Sequence, residues 1–112
     1  MKNFGRHRLP AMYSGSRHPE GTRVSVREEG KPRLDLKVSR AEAFDWGYIG
    51  TAPRQLALAI LSHAIPDRIA MKYYEDFCRD FVSQWADDGF VVTREEILEW
   101  FKLAWRKRHA DA

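Results

Sequence analysis

FDWGYIGTAPRQLALAIL, Phe44 to Leu61, is the stretch on which the reading of the fold turns. Three aromatics and two glycines run into Pro53, and an apolar segment follows at once. Pro53 suits the first turn of a helix, where its missing N–H would be unpaired anyway. Leu56, Ala57, Leu58, Ala59, Ile60 and Leu61 make that helix apolar nearly all round, which predicts a central, buried helix over Arg54–Ile65. Pro66 ends it, because the residue before a proline is pushed out of the helical region.

Upstream of the joint the pattern changes to a period of two. MYSGSR, TRVSVRE and RLDLKV are separated by the turn-forming RHPEGT and EEGKP. Val24 and Val26, then Leu34, Leu36 and Val38, alternate with Arg23, Arg27, Arg33, Asp35 and Lys37. This predicts a three-stranded antiparallel meander with one apolar and one charged face. So small a sheet needs a cover.

Downstream, Pro66 and Asp67 open a second helix. Ile69, Tyr73, Phe77, Phe81 and Trp85 recur every four residues as its buried stripe, and Gly89 reads as its C-terminal stop. In FVVTREEILEWFKLAW, Thr93 and Glu96 form a capping box, and Val92 and Ile97 a hydrophobic staple. A third helix then runs to about Arg108, with Ile97, Trp100, Phe101, Ala104 and Trp105 on its apolar face. The expected fold is α+β: a three-stranded antiparallel β-meander packed against three α-helices, the first helix central. It occupies residues 11–109 as a single domain, after a basic N-terminal arm over residues 1–10.

Composition bounds the function. The chain has 112 residues, 44% of them apolar, enough for one domain with a real core. No apolar run approaches the ~18–20 residues of a membrane span; LALAILSHAI is the longest and is interrupted by Ser62 and His63. The basic first ten residues are not followed by the apolar core of a secretory signal. A single cysteine, Cys78, forms no internal disulfide, and the expected setting is cytoplasmic. Charge is segregated. Residues 1–40 hold ten Lys/Arg against four Asp/Glu, whereas residues 41–101 hold five against eleven. A mixed, solvated surface accounts for this, but basic ends also suit an anionic partner.

The chemistry-bearing residues give little support to catalysis. His7, His18, His63 and His109 share no short ligand spacing, so no metal and no cofactor is expected. Cys78 falls beside an apolar helix stripe and reads as a small core residue rather than a nucleophile. Asp87–Asp88 and Glu95–Glu96 sit at a helix end and a helix start, where capping explains them. GYIGTAPRQ places glycines before a helix N-terminus, which would suit an anion. Yet it matches neither phosphate-loop spacing, and no lysine follows the second glycine. No catalytic residue is expected.

Two binding readings remain. The first is a protein interface built on Trp46 and Tyr48, with Arg54 and Gln55 beside them and Arg23 and Arg27 on the sheet. The alternative is nucleic-acid binding through Arg6, Arg8 and Arg17 at one end and Arg106, Lys107 and Arg108 at the other. The acidic middle weighs against it. Whether Trp46 and Tyr48 face the core or a partner stays open at this level.

Tyr13-x-Gly15, the G-x-x-V-x-V of Gly21–Val26, Phe44-x-Trp46-Gly47-Tyr48-x-Gly50 and the Pro53-x-Gln55 to Leu61 segment together resemble a family of small uncharacterised proteins of bacteriophages, plasmids and their bacterial hosts. The resemblance spans residues 12–105; Thr51 and Ala52 depart from the serine or second glycine that relatives often carry. It implies mobile-element origin and brings no catalytic residues. Small proteins of that kind often bind host machinery, so the expected function is a non-enzymatic protein-binding module. Its partner would be a host protein or ribonucleoprotein, and inhibition of an antiviral defence complex, as by an anti-CRISPR protein, is the concrete form.

Overall fold

The structure is a computed structural model and describes residues 10–36 and 44–110. Strands β1 (Ala11–His18) and β2 (Gly21–Glu28) form a hairpin through Pro19 and Glu20, and β3 (Leu34–Asp35) pairs with β2. Then come α1 (Thr51–Ala64), α2 (Asp67–Asp80), a short 3-10 turn (Val82–Gln84), β4 (Gly89–Thr93) and α3 (Arg94–His109). The fold is α+β with three α-helices, as the periodicities require.

The sheet has four strands, not three, in the order β3-β2-β1-β4, and all pairs are antiparallel. Gly89 is therefore not the stop of α2. That helix ends at Asp80, with Phe81 as its C-terminal cap, and after the 3-10 turn the chain becomes extended at Trp85, φ −70°, ψ 148°. Phe81 and Trp85 keep their apolar role by other means: Phe81 stacks on Phe77, and Trp85 stacks on Phe90 with centroids 3.9 Å apart. The third strand is also shorter than expected. Leu34 is exposed, Leu36 is half-buried, and Lys37 and Val38 lie outside the described residues.

Strand parity sets the two faces of the sheet. Tyr13, Val24, Val26, Phe90 and Val92 point to the helices and are buried. Gly15 stands opposite Phe90 on β4, and a side chain there would meet the Phe90 ring. This explains a glycine in mid-strand, at a position where chain entropy disfavours it. Across the sheet, Leu56, Ala57, Ile60, Leu61 and Ala64 of α1 are fully buried, and α1 meets both α2 and α3. Burial of each large aliphatic side chain contributes about 1.5–3 kcal/mol.

The helix boundaries follow local chemistry. The capping box is complete: Glu96 N–H donates to the Thr93 hydroxyl at 3.1 Å, and Thr93 N–H donates to Glu96 Oε1 at 3.0 Å. The aromatic joint works as a turn. Gly47 has φ +91°, which a side chain would resist, and its N–H donates to Val82 O at 3.0 Å. No described helix is long and apolar enough to cross a membrane.

Candidate functional site

The second face of the sheet is covered by no helix among the described residues. Its rows follow from the register. Ser16 lies opposite Arg23 and Gly89; Ser14 opposite Ser25 and Val91; Met12 opposite Arg27 and Thr93. Asp35 extends the middle row beyond Ser25. Met12 is 44% exposed and Val91 62% exposed, two apolar side chains on adjoining rows of this face. Two shallow hollows mark this face. One, of about 410 Å³, is lined by Ser14, Ser16, Ser25, Arg23, Arg33 and Asp88 among others. The other, of about 590 Å³, is lined by Met12, Arg27, Glu28, Lys31, Thr93 and Glu95 among others.

Arg23, Arg27 and Arg33 are exposed and make no ion pair among the described residues. Arg17, which alternation puts on the helix side of β1, is consumed internally. Its guanidinium lies over the Trp46 ring at 4.4 Å, 2.9 Å from Asp45 Oδ1 and 3.3 Å from Asp87 Oδ1, and it donates to the Asp87 carbonyl. The expected nucleic-acid role of Arg17 has no free cation behind it.

That brace also positions the aromatic joint. Trp46 is 1% exposed; its indole N–H donates to Ala86 O at 2.9 Å, and its ring meets Phe90 edge-on. Trp46 is thus a core residue, with no surface to offer a partner. Tyr48 turns outward at 48% exposure, followed by exposed Ile49, and its hydroxyl donates to Asp45 Oδ2 at 2.9 Å. Burial of Asp45 pushes its pKa up, but hydrogen bonds from Trp46 N–H, Arg17 and Tyr48, with the Arg17 charge, outweigh this and hold the carboxyl below its ordinary value. The same bond raises the pKa of the Tyr48 phenol. On α1, Arg54 is exposed and Gln55 half-buried.

The C-terminal cations are divided. Arg106 and Lys107 are exposed, whereas Arg108 reaches back to Asp76 at 3.2 Å and covers the Tyr73 ring at 4.3 Å. Arg6 and Arg8, and the arm that carries them, lie outside the described residues.

The sequence did not point to one polar constellation. Tyr13 (β1), Glu28 (β2), His63 (α1) and Arg94 (α3) converge under the sheet. Tyr13 Oη lies 2.8 Å and Arg94 Nη2 3.1 Å from His63 Nδ1, while His63 Nε2 lies 3.2 Å from Glu28 Oε1. Arg94 is 3% exposed and 3.8 Å from Glu28 Oε2. Arginine only donates, so Nδ1 accepts from both neighbours and Nε2–H donates to Glu28. With Tyr13 fully buried, the group works as an interior clamp between sheet and helices. Only the unusual Ser62-His63 break in an apolar helix hinted at it. Cys78 is buried, and burial pushes its thiol pKa up, away from the reactive thiolate. Among the described residues, no group of three or more His, Cys, Asp or Glu could hold a metal ion.

Fold and surface together define a small α+β domain in which no helix among the described residues covers one sheet face. The chain belongs to the family of unknown function DUF6166, which matches residues 13–103. No curated protein and no solved structure matches it.

Proposed function

We propose that the chain is a non-enzymatic protein-binding module that docks its partner on the helix-free face of the sheet. One observation carries this: exposed Met12 and Val91 share that face with Arg23, Arg27 and Arg33, which make no ion pair among the described residues. Arginine and methionine are enriched at protein interfaces, and aliphatic side chains supply the desolvated centre. Tyr48 and Ile49 offer a second contact, held in place by the Asp45–Arg17 brace. Among the described residues the sheet face carries no Trp, Tyr or Phe ring, and its His18 lies 2.8 Å from Ser16 Oγ at the end of β1, so it lacks the run of stacking rings used for single-stranded nucleic acid.

The partner we propose is a host protein or ribonucleoprotein inside the bacterial cell, met by a chain of mobile-element origin. Inhibition of a defence complex, such as a CRISPR effector, is the most concrete form. These finer points rest on the resemblance of Phe44–Leu61 and its flanks. The test is a tagged pull-down from source cells, together with phage restriction measured with and without the chain. Absence of any partner, together with unaltered restriction, overturns the proposal.

The second reading, a nucleic-acid accessory protein, draws on exposed Arg106 and Lys107 at the end of α3. It predicts binding to DNA or RNA that weakens steeply with salt. Titration at two salt concentrations separates the two readings.

A further inference from the structure

We infer that the segment received by the helix-free face is acidic, an extended or looped piece of protein whose carboxylates pair with Arg23, Arg27 and Arg33. This rests on that face being the docking surface and adds the chemistry of what docks.

Arg23 and Arg27 project from the same side of β2 with Ser25 between them. Four residues of strand separate them by about 14 Å. Arg33 lines the same hollow as Arg23, so three guanidinium groups border one surface. Each is exposed without an ion pair among the described residues, and each presents the planar fork that binds a carboxylate through two parallel hydrogen bonds. Between them the floor is low: Ser14, Ser16 and the buried Ser25 are small, and their hydroxyls are bonded within the face, Ser14 to Ser25 and Ser16 to His18, which leaves room for a partner segment to come close. On the other half of the face stand Met12 and Val91. The surface thus carries three arginines over β2 and at the start of β3, with Asp35 between them and Glu28, Glu29 and Glu95 beside Arg27, and aliphatic side chains over β1 and β4. A segment with carboxylates on one side and aliphatic side chains on the other is its complement.

A polyanion with evenly spaced charge fits less well. Asp35 sits opposite Ser25, between the rows of Arg23 and Arg27, and Asp88 lines the hollow beside Arg33. A phosphate backbone crossing the face would meet both carboxylates. Discrete side-chain carboxylates reach the arginines and leave the middle row to neutral groups. Acidic protein is therefore favoured over nucleic acid.

The test is titration of the ¹⁵N-labelled full chain with a short synthetic peptide carrying glutamates four positions apart among serine and valine. Its glutamine counterpart and an oligothymidylate serve as comparisons. The expected result is saturable amide shifts confined to Arg23–Arg27, Arg33 and their β1 neighbours. Affinity should fall by about tenfold or more with the glutamine peptide and with the R23E/R27E variant, and less with R23Q/R27Q, which guards against loss of folding. No saturable shift, equal binding of the glutamine peptide, or tighter binding of the oligothymidylate overturns the inference. If a protein captured by the chain is lost on Met12→Asp with Val91→Asp yet retained by R23E/R27E, the docking face stands and its acidic occupant falls.

Discussion

The Tyr13 hydroxyl lies 2.8 Å from His63 Nδ1, a bond that joins the first strand to the first helix across fifty positions of sequence. Arg94 Nη2 shares the same acceptor, so His63 is fixed as the neutral tautomer with its proton on Nε2, facing Glu28. Tyr13→Phe removes one donor from this clamp while keeping the packed ring. Stability should fall by about 1 kcal/mol, with a lower urea midpoint and an unchanged slope. A midpoint equal to the wild type would show that the bond contributes nothing net.

Gly15→Ala should destabilise much more than its size suggests. An added Cβ would stand 2.1 Å from Phe90 Cε2. The ring cannot retreat, because Trp85 stacks on it at 3.9 Å and Trp46 meets it at 5.0 Å. Overpacking of this kind costs about 1–3 kcal/mol. Phe90→Leu in the same chain should recover part of the loss, and a double-mutant cycle by chemical denaturation measures the coupling.

Thr93→Ala removes the hydroxyl half of the capping box at the start of α3, the acceptor for Glu96 N–H and a donor to Glu96 Oε1, and leaves the backbone N–H of residue 93 to bond Glu96. The expected loss is about 1 kcal/mol, or roughly 4–8 °C in Tm for a domain of this size. Glu96→Ala made on top of it should cost somewhat less than it does alone, since the hydroxyl bond to Glu96 Oε1 is already gone while the backbone N–H bond remains. Additive losses would mean that the two residues act independently.

The strand that ends in Thr93 shows where sequence reading stops. Thr93, Glu96, Val92 and Ile97 were legible because capping is local, and Pro53 and Pro66 bracketed α1 for the same reason. Phe90-Val91-Val92 was not legible as a strand. Only five residues long and without polar alternation, it is defined by pairing with Ser14 and its neighbours, distant in sequence. The four-residue spacing of Phe77, Phe81 and Trp85 continued past the real end of α2, because a 3-10 turn can bury the same rings. Arg23 and Arg27 were legible from alternation. The inward turn of Trp46 was not, since a loop has no period, and its place is set by Arg17 and Ala86. The Tyr13–Glu28–His63–Arg94 clamp draws one residue from each of four elements and leaves no spacing to find.

Acid should act on two carboxylates. In Asp45, hydrogen bonds overcome the effect of burial and lower the pKa; in Asp80, the Arg79 hydrogen bond lowers it, opposed by burial and aided by the Trp100 indole. Both values lie lower in the folded than in the unfolded chain. The stabilisation is therefore complete above the ordinary carboxylate value of about 4 and is lost as pH falls through the folded-state values. Asp45→Asn and Asp80→Asn should each flatten the acid limb of a stability–pH curve. An acid limb of unchanged steepness would remove these groups from the account.

The central claim, that the helix-free sheet face docks a protein, is tested most directly by quantitative pull-down from source cells with the wild type and with Met12→Asp/Val91→Asp. Both positions are exposed, so the variant should melt as the wild type does. The account predicts a partner held by the wild type and reduced at least about tenfold in the variant, a loss of ~1.4 kcal/mol or more. A partner held equally by a folded variant, or none held by the wild type, would contradict it.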